Sequence, residues 1–396
     1  MICQSTDKSV CATLALPVKS TRENGTIHVA QTLLSVLVRL ATAVTSSMIL
    51  RDDLLRLFPR LRDLPMHAYV VGGAVRDLTL GAAPADVDVA CLDPLSCARA
   101  LRRKVIRLGR EEHLSAYRVV DGPHVYDFAA LLDASIDADL ARRDFTINAM
   151  AVDLASGELL DPHDGRGDLS RHLVRMIDAS NFDDDPLRML KAVRMAVRFG
   201  FEIDPKTLNA IRIRAKRIAA VSVERVAYEL TVIFSANAFR RAVSLLRETG
   251  LAIPLFGHSL AIEFQADDVP LAAALALLVD DAHAFAKRWR LSDALMREMQ
   301  TLQRLITSHS LLDLYDAGEP IARQLPPMLR ALGRDDRIPF PDFSIRPLLT
   351  GDEIAEIAGI DAGPRIGMLK RGLLQAELEG RISSRDAAER FIQTLL

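Results

Sequence analysis

The sequence predicts an α+β fold: a mixed sheet in the N-terminal part, followed by a mostly α-helical remainder. Between about residues 48 and 160, short apolar runs with strand character alternate with helical segments and are punctuated by glycine. Beyond about residue 185 the strand signal nearly vanishes. Helical periodicity takes over, as in Leu187, Leu190, Met195 and Val197 and later in Val243, Leu245 and Leu246. The length of 396 residues points to two or more domains.

Taken in order, residues 1–47 look unlike the rest, being rich in Ser, Thr, Val and Ala. Their apolar segment, Thr32 to Val38, follows Asp7, Lys8, Lys19, Arg22 and Glu23 and comes too late for a signal peptide. We read this stretch as a disordered or non-native extension with Met48 as the functional start, an organelle transit peptide being the alternative. An amphipathic helix is expected over about 50–62, then a strand at His67 to Val71 running into Gly72-Gly73. Ala74 to Leu80 reads as a helix that Gly81 ends. Asp86-Val87-Asp88 opens the next strand, and a helix is expected near 94–104. Tyr117 to Val120 and Val125 to Phe128 read as a hairpin joined through Asp121-Gly122-Pro123. A further helix precedes Arg142. Prolines between 326 and 347 mark an irregular segment or subdomain boundary.

The 49% hydrophobic and 26% charged fractions describe an ordinary soluble globular protein, and a net charge of −2 does not announce nucleic-acid binding. Locally, Lys206, Arg212, Arg214, Lys216, Arg217 and Arg225 make a basic stretch that faces either RNA phosphates or solvent. No apolar run reaches the roughly 20 residues that span a bilayer. Cys3, Cys11, Cys91 and Cys97 match no zinc spacing and are too few for a disulfide scaffold, so a reduced, cytoplasmic setting is expected. Cys91 and Cys97 read as packing residues.

The chemistry concentrates in a few places. Gly72-Gly73-Ala74-Val75-Arg76-Asp77 reads as a phosphate-cradling turn. Asp86 and Asp88 flank one valine, so in a strand both carboxylates project from the same face. Their mutual repulsion is relieved by a hard divalent cation with oxygen ligands, Mg²⁺ being the expected one. A phosphate turn beside such a pair is machinery for nucleotidyl transfer, and Asp127 on the hairpin is a candidate third carboxylate. Arg142 to Met150 brings arginine forks suited to phosphate oxygens, with a carboxylate and an amide suited to ribose hydroxyls.

In Asp184-Asp185-Pro186-Leu187-Arg188, proline at the first helical position makes Asp185 a natural N-cap with Arg188 one turn on. Capping accounts for Asp185 but not for the pair. Cytosine and adenine each offer an amino donor beside a ring-nitrogen acceptor on the Watson–Crick edge, which an aspartate and an arginine match. Uracil and guanine offer the opposite pattern and would leave polar groups unpaired. One Asp/Arg pair thus admits CTP and ATP and rejects UTP and GTP.

The order of these motifs resembles class II tRNA nucleotidyltransferases, the CCA-adding enzymes, with bacterial poly(A) polymerases as close relatives within the polymerase β-like superfamily. The resemblance covers roughly residues 66–235 and includes Val221 to Leu230, similar to the family's last motif. It implies a polymerase β-like nucleotidyltransferase head over 48–180, a base-recognising helical neck over 181–240 and a tRNA-binding helical body and tail over 241–396. It implies that Asp86 and Asp88 ligate the metal and that Gly72, Gly73 and Arg76 meet the triphosphate. Arg143, Asp144 and Asn148 would contact sugar and phosphates, and Asp185 and Arg188 would read the base. The activity implied is template-independent addition of C and A to tRNA 3′ ends. The rivals are a poly(A) polymerase and a catalytically silent RNA-binding protein; two neighbouring unneutralised aspartates argue against the latter. Only Ala129 to Ser135 connects the Asp127 strand to the helix before Arg142, where many CCA-adding members carry a longer loop that CC-adding enzymes lack. Lys287 to Ser292 is the part of the C-terminal half expected near tRNA.

Overall fold

A computed structural model describes residues 50–65, 67–108, 116–361 and 363–396. The expectations for residues 1–47, Met48, Cys3 and Cys11 lie outside these. The first helix, α1, covers 50–57 and stops at Phe58 instead of running to 62. Pro59 cannot donate to a continuing helix, and the chain tightens into a 3₁₀ turn, Pro59–Asp63.

Strand β1 (Ala68–Val71) then leads through Gly72 into α2 (Gly73–Thr79). Gly81 ends that turn as expected, at φ +76°. Strand β2 (Asp86–Cys91) is followed by α3 (Pro94–Ala100), which Asp93 caps by accepting from the Ser96 amide. Helix α3 is shorter than expected because a strand that the sequence pattern did not mark, β3 (Val105–Leu108), begins soon after it. This edge strand buries neither face, so it carries no alternation to read. The hairpin forms as expected from β4 (Ala116–Asp121) and β5 (His124–Ala130), closed at Asp121 opposite His124.

With β6 (Ala151–Asp153) and β7 (Leu159–Leu160), the strands form one mixed sheet in the order β3-β4-β5-β2-β1-β6-β7. Strands β2 and β5 are parallel neighbours and the other pairings are antiparallel. Alternation sends Val87, Val89, Tyr126 and Phe128 into the core, where Phe58 packs edge-on against Tyr126. Asp86, Asp88 and Asp127 therefore share the opposite face.

Apart from a short parallel pair, Leu173–Val174 with Glu202–Ile203, the other elements are helical, beginning with α4 (Ile136–Ala141), α5 (Gly165–Ser170), α6 (Asn181–Asp184), α7 (Leu187–Phe199), α8 (Pro205–Arg214) and α9 (Val223–Phe234). Helix α7 packs on α9, and the Arg194–Glu229 ion pair (2.8 Å) joins them in a nearly closed site. One apolar cluster runs from Leu50 to Ala331 without a break near 180 or 240. A separate one gathers Leu349, Ile354, Leu369, Leu373 and Ile392. The proline-rich segment lies between them and is irregular from 334 to 350, as expected, but Pro326 and Pro327 open a helix, Leu325–Ala331, where proline suits the first turn. Cys91 and Cys97 are buried and unpaired, in keeping with packing roles. Among the described residues no helix is long and apolar enough to cross a membrane.

Candidate active site

The sheet register assembles the site. Asp88 stands opposite Asp127 across the parallel β2/β5 pair, and Arg118 of β4 stands opposite Asp127 on its other side. In-register partners point to the same face, so Asp86, Asp88, Asp127 and Arg118 line one open surface. Asp86 and Asp88 are solvent-exposed while Val87 between them is buried, as the Asp-x-Asp spacing predicts. Asp127 is half-buried, and both its oxygens are held by the Arg118 fork, at 2.7 Å from Nε and 2.6 Å from Nη2.

Electrostatics at Asp88 follow from this crowding. The side chain reaches solvent at the cleft surface, yet protein atoms surround most of it. That burial pushes its carboxyl up to about 6; Arg143 opposes the shift, and the negative charges of Asp127 and Asp86 add to it. Among the described residues neither Asp86 nor Asp88 has an ion-pair partner, and no three metal-ligating side chains converge on one point. Two acceptor-only carboxylates, open and unneutralised, are a donor set that fits a hard divalent cation.

The glycine turn lies directly beside them. Gly72 has φ +74° and ψ −126°, a conformation that side-chain-bearing residues avoid. A Cβ placed on it would lie 2.8 Å from Arg143 Nη1 and 3.8 Å from Asp88 Oδ2, so the turn, the guanidinium and the carboxylate are in immediate contact range. Gly73 begins α2, with Arg76 Nη2 lying 3.6 Å from where its Cβ would be. Arg76 itself is buried rather than extended into the cleft. It bonds Asp77 (2.8 Å) and Asn148 (2.6 Å) and lies over the Phe199 ring at 4.9 Å. Its place is therefore beneath the turn, which it ties to α7.

Asn148 in turn donates to Asp144 Oδ1 (2.9 Å), so Arg76, Asn148 and Asp144 form a hydrogen-bonded chain. Arg143 is fixed by a residue that the motifs did not single out. Asp139, on α4 and 1% exposed, accepts from Arg142 through one oxygen and from Arg143 through the other. A second buried carboxylate, Asp168, accepts from Thr146 (2.6 Å), Arg171 and Arg175 and holds the same segment from below.

Asp185 and Arg188 lie where α6 gives way to α7. Asp185 is the N-cap of α7 as expected: it is extended at φ −138° and ψ 95°, while Pro186 after it already has helical angles, and it also closes α6. Its carboxylate accepts from the Leu187 amide (3.2 Å) and pairs with Arg225 of α9 (2.7 Å). Arg188 reaches back to the Arg142 carbonyl (2.8 Å), which links it to the Arg142–Asn148 segment rather than to Asp185. Arg225 could not be singled out from spacing, since 40 residues separate it from Asp185. Arg118 could have been: a hairpin closed between Asp121 and His124 pairs 118 with 127. The Ala129–Ser135 connection is as short as expected, two of its residues finishing β5 and three forming a 3₁₀ turn. Of Lys287 to Ser292, the residues Arg290, Leu291 and Ser292 line a surface cavity together with Tyr228 and Thr231 of α9.

Comparison with known proteins agrees with this architecture. Residues 68–132 and 117–175 match the model described as the poly A polymerase head domain, and 200–261 match the probable RNA and SrmB-binding site of polymerase A. The CCA-adding enzyme of Lactobacillus johnsonii is 30% identical over 366 residues, spanning 81% of this chain and 92% of its own. The CC-adding tRNA nucleotidyltransferase of Synechocystis sp. is 29% identical over 84% of this chain and 94% of its own. The crystal structure of the Bacillus stearothermophilus CCA-adding enzyme in complex with CTP superposes with a TM-score of 0.73 at 26% identity, over 87% of this chain and 97% of that one.

Proposed function

This chain belongs to the family of tRNA nucleotidyltransferases that contains the CCA-adding and CC-adding enzymes, and we propose that it adds C and A residues to tRNA 3′ ends from CTP and ATP without a template. One observation carries this reading: Asp86 and Asp88 project together from one open face, with Asp88 and Arg143 both beside the Gly72 turn.

Asp86 and Asp88 would hold the divalent cation, which we assign as Mg²⁺, with Asp127 as a third carboxylate. Such a cation would favour ionisation of the 3′-hydroxyl that attacks the α-phosphorus and would offset charge on the pyrophosphate that leaves. Arg143, held by Asp139, faces the phosphates across the Gly72–Gly73 turn, while buried Arg76 keeps that turn rigid. Asp144 and Asn148, already hydrogen-bonded to each other, are suited to the ribose hydroxyls. Asp185 and Arg188 are assigned to the base edge. Arg225 fixes the Asp185 carboxylate in its ionised, acceptor-only form, which suits an amino group and repels a carbonyl. The domain division proposed is a head over 48–180, a neck over 181–240 and a tRNA-binding body and tail over 241–396. The unpaired, buried Cys91 and Cys97 support a cytoplasmic setting.

The test is extension of tRNAs lacking all of CCA, lacking CA, or lacking only the final A, with CTP and ATP supplied and product lengths resolved. The reading predicts CTP-dependent extension of the first substrate; no incorporation on any of them refutes it. The match to a poly A polymerase head keeps one second reading in play. Long tails from ATP alone on a non-tRNA primer would establish it.

A further inference from the structure

The carboxylate face already holds a cation of its own. Arg118 stands in register beside Asp127, which stands in register beside Asp88, so three neighbouring strands present guanidinium, carboxylate and carboxylate in a row. The Arg118 fork takes both oxygens of Asp127 in a parallel, two-bond pair. With those oxygens engaged, Asp127 has poor lone-pair access left for a metal ion, and Asp86 and Asp88 remain the open donors. The arginine side chain is 42% exposed, so it can swing into solvent without unpacking the sheet.

We propose that Arg118 guards Asp127: paired with Arg118 the carboxylate stays out of the metal site, and it joins Asp86 and Asp88 as a ligand only when that pair opens. The proposal rests on the assignment of Asp86 and Asp88 as metal ligands. The step is an exchange of ion-pair partners, with no covalent change. It makes Arg118 a positioning residue that sets how many carboxylates meet the metal.

The test is titration of the full chain with Mn²⁺, free of tRNA and nucleotide, following unbound Mn²⁺ by electron paramagnetic resonance. Arg118→Met should tighten Mn²⁺ binding by about 5- to 10-fold, the size expected for releasing a charge-assisted pair that is partly screened by solvent. In the Asp127→Asn background the same substitution should change binding by less than about 2-fold, leaving only the screened, longer-range effect of the lost charge. Unchanged affinity in Arg118→Met overturns the proposal. So does an equal gain with and without Asp127, which would make Arg118 a general source of repulsion. Asp88→Asn separates the two levels of the argument. If it abolishes binding while Arg118→Met does nothing, only the guard falls; if it leaves binding intact, the metal-site assignment falls as well.

Discussion

Replacing Gly72 by alanine puts a methyl group where the fold leaves no room for one. Two costs can be read separately. At φ +74° and ψ −126°, an alanine carries a backbone strain of about 1–3 kcal/mol. Its Cβ would also lie 2.8 Å from Arg143 Nη1, so one of them must move. The guanidinium is not free to yield, being tied to Asp139 through Nη2 at 3.0 Å and Nε at 3.3 Å. Disturbing a charge-assisted contact of this kind costs about 1.5–3 kcal/mol, which corresponds to roughly 10- to 100-fold in kcat/KM if Arg143 meets the triphosphate. Gly81→Ala is the internal control. That glycine has a similar φ, +76°, with nothing within 4 Å of its missing Cβ. It should lose about 1 kcal/mol of stability through strain alone and keep full activity. The assay is nucleotide incorporation into tRNA lacking CCA, at varied CTP, with thermal melting of both variants. Wild-type kcat/KM in Gly72→Ala, or an equal loss in Gly81→Ala, would refute the reasoning.

Asp139→Asn should keep the shape of the arginine anchor but lose its charge, raising KM for nucleotide more than it lowers kcat and costing about 2 kcal/mol of stability; a change in neither quantity contradicts the anchoring role. Because Asp88 is pushed up to about 6, protons compete with metal there: Mn²⁺ affinity should fall as pH drops below about 6, by up to about tenfold per unit. The same shift has a definite sign for folding in the metal-free protein. The native state holds the proton more tightly than the unfolded chain, so this group's contribution to stability falls as pH rises from the ordinary value of 3.8 to about 6. Asp88→Asn should flatten that slope in thermal melts. Arg188→Ala should reduce the preference for CTP over UTP by about tenfold in kcat/KM ratios while triphosphate binding changes less; intact selectivity would remove Arg188 from base reading.

Much of the site was legible because its logic is local. An Asp-x-Asp spacing needs only strand alternation to put both carboxylates on one face, and Val87 is buried between them as that rule requires. Glycines followed by a helical run likewise mark the turn without reference to the rest of the chain. What escaped depends on packing: some partners of functional side chains come from distant segments, and nearer ones take their role only once their helix is buried. Asp139 looks like an ordinary helix-surface residue until α4 is packed, when it becomes almost wholly enclosed between two arginines. Arg225 meets Asp185 only after α7 and α9 have packed. Arg76, read as a phosphate contact from its place in the motif, is drawn under the turn by its neighbour Asp77, by Asn148 and by Phe199, contacts that the motif order does not reveal. Strand β3 escaped for the opposite reason, since an edge that buries neither face leaves no hydrophobic signature.

The unbroken apolar cluster from Leu50 to Ala331 sets a fixed gauge between the carboxylates of the sheet and the junction where Asp185 and Arg188 stand. Close-packed side chains do not stretch, so this spacing is the same for every nucleotide added. An RNA end that lengthens by one residue per cycle must then make its own adjustment by shifting or folding back at the cleft. The C-terminal helices, gathered around Leu349, Leu373 and Ile392 beyond the proline-rich segment, have an apolar cluster of their own and lie outside that gauge.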